Sequence, residues 1–300
     1  MNDVADFDVA IIGAGPSGSV SAALLHQQGF RVCVIERTHF PRFVIGESLL
    51  PYSMDILEEA DLVRVVQAQQ GFQYKNGAAF TWGERYTWFD FTDKFSKGPG
   101  TTFQVQRAVF DKILIDEVER RGVTVRYGQN VTGYEEVEGA SGEHLARLRI
   151  EAPEGAYTLQ ARFVLDASGY GRVLPRLLGL ERPSVLSPRK AIFTHIDDRI
   201  VGDDFDRNKI LISTHPAERG VWSWLIPFGN GRSSIGFIGE PEWINQRAAG
   251  LKAADEGALN EALLRGVVAE IPRLSRILRN AVWDNGVPFS SISNYSANVT

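Results

Sequence analysis

Apolar positions bunch near the start of the chain. Residues 7–12 (FDVAII) and 31–35 (RVCVI) are short, nearly continuous apolar runs, and each predicts a strand buried on both faces. Between them, Pro16 to Gln28 predicts a helix, with proline in the first turn and Gly29 as its stop. Strand, helix and strand in this order make a βαβ unit, whose strands must be parallel. Further helices are expected from about Leu49 to Glu59 and from about Ala108 to Arg121. In the latter, Phe110, Ile113, Leu114 and Val118 share one face and Gly122 ends the helix. Alternating stretches at 123–127, 131–137, 145–151 and 157–165 read as strands. Turn-rich breaks at 139–142 and 153–155 separate the last three and predict a small antiparallel meander. A second β-rich zone spans 190–240, with the hairpin WSWLIPF turned by Gly229-Asn230-Gly231 into SSIGFIG. Residues 246–280 read as mostly helical, and no internal repeat or low-complexity segment appears.

Composition narrows the partners. The chain has 300 residues, 44% of them hydrophobic, which suffices for a sizeable core in one or two domains. Net charge is −5 and the basic residues are scattered, which argues against nucleic acid and against an anionic membrane surface. No apolar run approaches the roughly 20 residues needed to cross a bilayer, so no membrane span is expected and the default location is cytoplasmic. Cys33 is the one cysteine, in an apolar run that suits a small buried side chain, and no residue cluster has metal-ligand spacing: metal, none.

The clearest chemical motif is Gly13-Ala14-Gly15-Pro16-Ser17-Gly18, a G-x-G-x-x-G set between the first strand and the first helix. Gly13 permits the tight turn, Gly15 lets backbone approach a pyrophosphate, and Gly18 lets helix and strand pack closely. The helix N-terminus then offers unpaired N–H groups and partial positive charge to phosphate. Glu36 closes the second strand, where a carboxylate can accept hydrogen bonds from a ribose diol. Glycine turns alone are common in α/β proteins, but strand, helix, second strand and acidic residue agree here, and a dinucleotide is expected.

Beyond Glu36-Arg37 the chain reads Phe40-Pro41-Arg42-Phe43-Val44-Ile45-Gly46-Glu47-Ser48-Leu49-Leu50-Pro51, later Val105-Gln106-Arg107 running into Phe110-Asp111, and FVLDASG at 163–169. In these segments the sequence resembles the FAD-dependent halogenases and their relatives in the larger aromatic-hydroxylase-like flavoprotein superfamily. The resemblance implies FAD rather than NAD, with Gly13, Gly15, Pro16, Ser17, Gly18, Glu36, Arg37, Arg42, Gly46, Glu47, Ser48, Arg107, Val131, Asp166 and Gly169 as cofactor-binding candidates. Taken singly, Arg42 and Arg107 read equally well as surface arginines, and Asp166 as a cap on the loop after its strand.

Two features bear on the chemistry. In Trp222-Ser223-Trp224-Leu225-Ile226-Pro227, strand alternation puts Trp222, Trp224 and Ile226 on one face, a rigid apolar wall. The segment resembles the halogenases' W-x-W-x-I-P signature, which implies a wall, with Pro227, between flavin and organic substrate. Ordinary hairpin packing is the competing reading. Lys75 lies in the region from which such halogenases take their catalytic lysine, and burial would suit an ammonium to that task. A solvated lysine before a turn is the alternative, and Phe72, Tyr74, Phe80 and Trp82 are candidates to line a passage around it. The aromatic cluster Tyr86, Trp88, Phe89, Phe91 and Phe95 covers either a flat substrate or a domain interface. His195 reads as a packed strand histidine.

The expected fold is α/β: a Rossmann-like FAD-binding domain made of 1–75, 101–182 and 280–300, with an inserted antiparallel β-sheet substrate domain made of 76–100 and 183–279. Relatives carry a third FAD segment, Gly-Asp followed by Asp-Pro; nothing after Trp283 matches it, and the Gly202-Asp203 pair falls in the wrong region, so the C-terminal part is expected to be missing. The implied reaction is halogenation of an electron-rich aromatic or pyrrole, free or bound to a carrier protein. It would use FADH2 from a separate flavin reductase, O2 and halide. Alternatives are a related monooxygenase, a reductase or dehydrogenase, and a non-enzymatic flavin-binding maturation partner.

Overall fold

A computed structural model describes residues 5–202, 205–293 and 296–299; Asp203 and Thr300 lie outside the described residues. The chain opens as expected, with β1 (Phe7–Ile12), α1 (Pro16–Gln27) and β2 (Val32–Glu36), and the two strands are parallel. Then come α2 (Tyr52–Glu59), α3 (Val63–Gln67), β3 (Gln73–Lys75), β4 (Gly77–Trp82), β5 (Arg85–Asp90), β6 (Thr102–Gln104) and α4 (Arg107–Arg120). Helix α2 starts three residues later than the apolar pattern suggests. Ser48 bridges Gln104 and the Leu49 amide donates to the Phe103 carbonyl at 3.1 Å, so strand-like pairing claims those residues until Pro51 opens the helix.

β7 (Thr124–Tyr127), β8 (Asn130–Glu138), β9 (His144–Ala152) and β10 (Gly155–Asp166) complete a six-stranded sheet of order β7-β2-β1-β10-β9-β8. The predicted meander is not a separate unit. Strand β10 is 12 residues long: its first half pairs antiparallel with β9, and its second half pairs parallel with β1. One strand thus welds the meander to the βαβ unit. The helix-side core packs Ile11, Val34, Leu57, Phe110 and Leu114, and the opposite face buries Ile12, Ile35, Leu148 and Ile150.

α5 (Val173–Leu177) and β11 (Glu181–Arg182) lead to β12 (Lys190–Asp197), β13 (Lys209–Thr214), β14 (Trp222–Pro227) and β15 (Arg232–Gly239). Next come α6 (Pro241–Ala249), α7 (Glu256–Glu270), α8 (Pro272–Ile277), β16 (Ser290–Ser293) and β17 (Asn298–Val299). The second sheet has the order β16-β12-β15-β14-β13-β4-β5. It is antiparallel except where β13 runs parallel to β4, the step that recruits residues 77–90. Within the stretch 280–300, Ser290–Ser293 pairs with β12 and so lies in this second sheet, because its backbone completes that edge. Leu211, Leu225 and Phe237 on one face pack on α6–α8, with Leu263, Val267 and Leu274 among the buried helix residues. No helix among the described residues is long and apolar enough to cross a membrane.

Candidate functional site

The glycine turn at the end of β1 has no room for side chains. Gly13 has φ +102°, and a Cβ there would sit 2.7 Å from the Ala167 carbonyl oxygen. A Cβ on Gly18 would sit 1.9 Å from the Gly13 carbonyl oxygen, so the helix can dock this closely only with glycine. Gly15 caps α1 in an extended conformation, Pro16 occupies the first turn, and neither a side-chain cap nor an acidic residue satisfies that end. Such an end is a ready anion site. Glu36 is buried: one carboxylate oxygen accepts from the Ala14 amide at 2.9 Å, the other from the Thr38 amide at 3.0 Å and hydroxyl at 2.7 Å. It therefore shapes the turn from within as well as facing the cavity.

These elements bound a cavity of about 690 Å³. Of the residues singled out from the sequence, Gly13, Gly15, Pro16, Ser17, Glu36, Arg37, Arg42, Arg107, Val131 and Gly169 line it. Gly18, Gly46, Glu47, Ser48 and Asp166 lie outside that lining, Gly46 in the wall of a neighbouring cavity shared with Pro16, Ser17 and Arg107. The Asp166 carboxylate accepts from the amides of Ser168 at 2.9 Å and Leu174 at 2.8 Å, which fixes the loop carrying Gly169. Lys75 and the tryptophan strand also lie outside the lining.

The arginines are not surface decoration. Arg107 grips Asp111 with two bonds, Nε to Oδ1 at 2.6 Å and Nη2 to Oδ2 at 3.0 Å, and donates from Nη1 to the Ile45 carbonyl at 3.0 Å. Asp111 is fully buried and also faces Arg42 at 3.4 Å. Arg42 has a buried Nε with no partner, and its Nη2 lies 3.5 Å from where a Gly15 Cβ would stand. Arg42 lines the cavity while paired to Asp111 at 3.4 Å and to Glu36 at 4.0 Å. A guanidinium held there beside an uncapped helix end, with glycines that let a diphosphate approach, fits FAD. Asp111 was visible in the sequence only as the last letter of the arginine motif, and its role as the shared counterion needed the fold.

Lys75, at the end of β3, is 1% exposed, which rules out a solvated lysine. Its Nζ donates to Ser48 Oγ and to the Leu49 carbonyl, both at 2.7 Å, and lies 5.1 Å from the centre of the Phe91 ring. Burial pushes the ammonium down to about 8. The aromatic neighbours differ from those expected. Tyr74, Phe80 and Trp82 are exposed and Phe72 packs on Phe110, so Phe91 is the ring that meets the amine. Phe95 and Trp88 are open to solvent, while Tyr86 packs under Arg273.

The tryptophan strand is a packed wall. Trp222 and Trp224 have ring centres 6.2 Å apart, and Trp224 and Ile226 are buried with Phe193 and Phe228. Pro227 ends β14. The Trp224 indole N–H donates to Ser234 Oγ at 3.1 Å, and its ring lies over Gly236, where a Cβ would meet it at 2.3 Å. A second buried feature escaped sequence reading: His195 Nε2 and Glu47 Oε1 lie 2.6 Å apart, joining two segments 148 positions apart. The sequence read His195 as a packed strand histidine, and no local signal paired it with Glu47.

A family model described as an FAD binding domain matches residues 6–274. A flavoprotein/dehydrogenase from Cytophaga hutchinsonii is 38% identical, with a TM-score of 0.85 over 97% of this chain and 67% of its own. The flavin-dependent halogenase CmlS is 28% identical, with a TM-score of 0.82 over 98% of this chain and 50% of its own. A tryptophan 2-halogenase from Chondromyces crocatus is 28% identical over 275 residues, 87% of this chain and 50% of the relative. The chain spans about half the length of the curated relatives it matches.

Proposed function

The chain belongs to the FAD binding domain family, and on that premise we propose that it is the cofactor-binding, substrate-facing part of a flavin-dependent halogenase acting on an electron-rich aromatic or pyrrole. The observation that carries the reading is Lys75: an amine buried in the protein, held by Ser48 and Leu49 of the loop that continues from the cavity wall. When bound, FAD supplies the redox chemistry, activating O2 in its reduced form so that chloride or bromide is oxidised. Arg42, with Arg107 behind it, would neutralise the diphosphate, and Glu36 would set the nucleotide end. Trp222, Trp224 and Ile226 would exclude water and keep the organic substrate away from the cofactor side. Lys75 would present the electrophilic halogen to the substrate. Its ammonium form would donate a hydrogen bond to the oxygen of hypohalous acid. Its neutral form, accessible near pH 8, would attack the halogen of that acid, breaking the oxygen–halogen bond as the nitrogen–halogen bond forms, with the hydroxide and an amine proton leaving as water.

Residues 1–75 and 101–182 would hold the cofactor, and 76–100 with 183–279 would face the substrate. The enzyme would work in the cytoplasm and take its reduced FAD from a separate flavin reductase. The test supplies the full-length protein with reduced FAD, O2, chloride or bromide and a panel of phenols, indoles and pyrroles, analysed by mass spectrometry. Halogenated product that disappears in Lys75→Ala, with flavin still bound, is the expected result. A second reading, a dehydrogenase, is favoured by the 38% identity to the Cytophaga hutchinsonii flavoprotein/dehydrogenase. Flavin turnover coupled to substrate without any need for halide would select it.

A further inference from the structure

The cavity has a direction. Glu36 marks its nucleoside end and the start of α1 its diphosphate position, so the cofactor's ring system belongs at the end lined by Phe43 and Val44, beside the second sheet. Phe43 is 44% exposed, an apolar ring left bare in a cavity wall. Its position is set from behind. Phe193 stacks on it with ring centres 6.0 Å apart at 14°, and His195 meets it edge-on at 5.0 Å.

His195 is in turn fixed. It sits 5.2 Å from the Phe228 ring, and its Nε2–H donates to the buried Glu47 carboxylate at 2.6 Å. Glu47 lies four residues after Phe43 on the same irregular segment, which has no helix or strand of its own to hold it. The hydrogen bond thus ties the segment that carries Phe43 to the strand that carries its two ring partners.

We propose that Phe43 is the aromatic platform for the isoalloxazine ring, and that Glu47 and His195 are positioning residues that clasp this platform to the second sheet. The proposal rests on FAD binding and not on halogenation. A flat conjugated ring is the ligand class that an exposed phenyl face recognises, and close contact with an aromatic ring quenches flavin emission.

The experiment uses the full-length, FAD-loaded protein and reads bound-flavin fluorescence, visible circular dichroism and FAD affinity, with no turnover required. Phe43→Leu keeps the apolar contact with Phe193 but removes the ring. It should weaken FAD binding by roughly 2- to 12-fold, the range for one aromatic contact, and brighten the bound flavin several-fold. The double variant Glu47→Leu with His195→Leu removes both polar partners and leaves neither orphaned. It should brighten bound flavin with Phe43 still present, whereas Glu47→Gln, which keeps an acceptor for the imidazole, should match the parent. Unchanged flavin emission and dichroism in Phe43→Leu overturn the platform. A double variant that loses thermal stability with an unaltered flavin spectrum overturns the clasp. Failure of the unsubstituted protein to bind FAD removes this proposal and the cofactor together, while absence of halogenation leaves it standing.

Discussion

Replacing Lys75 with methionine isolates the cost of burying its ammonium group. Methionine is unbranched and similar in length, and it lacks the charge. In the folded protein the lysine proton leaves at about 8, against 10.5 for the free side chain. That difference of about 2.5 corresponds to roughly 3 kcal/mol, at about 1.36 kcal/mol per pH unit. Between those two values the unfolded chain binds the proton and the folded chain does not, so stability rises with pH across the window. Below pH 8 both forms are protonated and the cost is present in full. Urea unfolding of parent and Lys75→Met, at steps from pH 7.5 to 10.5, measures the effect as the difference between the two curves. Other titrating groups are common to both proteins and cancel. The parent should gain up to about 3 kcal/mol on the variant as pH rises. Parallel curves across the whole range would refute the claim that this amine is desolvated.

Three further outcomes follow from packing and charge. Gly18→Ala drives a methyl group to 1.9 Å from the Gly13 carbonyl oxygen, so the purified protein should lose its yellow colour; retention of stoichiometric flavin counts against the cradle. Asp111→Asn leaves Arg107 and Arg42 without their buried counterion and should cost about 3–5 kcal/mol in denaturant unfolding, with flavin affinity falling in parallel. His215 accepts from the amides of Ala217 at 3.3 Å and Glu218 at 3.1 Å through Nδ1, and burial lowers its pKa below 6.5. Protonation is therefore easier in the unfolded chain, and as pH falls below about 6.5 the parent should lose stability faster than His215→Gln, which thermal melts at pH 5 to 7 would read.

The nucleotide half was legible because its signals are local. A glycine turn between an apolar strand and a helix needs only a dozen consecutive residues, and Gly13, Gly15 and Gly18 fall where the motif requires them. The second half was legible only as strands. That β4 would pair parallel with β13 depends on residues 77 and 209 meeting, and nothing in either segment announces the partner. The same holds for the polar core. Lys75 stood out only through the family resemblance, and its own segment read equally as a solvated turn until Ser48 and Leu49 closed over it. His195 looked like packing until Glu47 arrived from the cofactor side. Side chains whose partners lie in distant segments carry no periodicity to read.

The pairing of β4 with β13 also bears on how the polypeptide can be made and divided. A ribosome releases residues 77–90 long before residues 209–214 exist, so the hairpin must wait through more than a hundred further additions with the backbone edge of β4 unpaired and Ala78 and Ala79 uncovered. Any piece that stops short of residue 209 keeps that strand edge open, and such pieces should clump when expressed. Cutting the molecule into a nucleotide half and a substrate half is therefore self-defeating, since the thread passes from one to the other and back before either is closed.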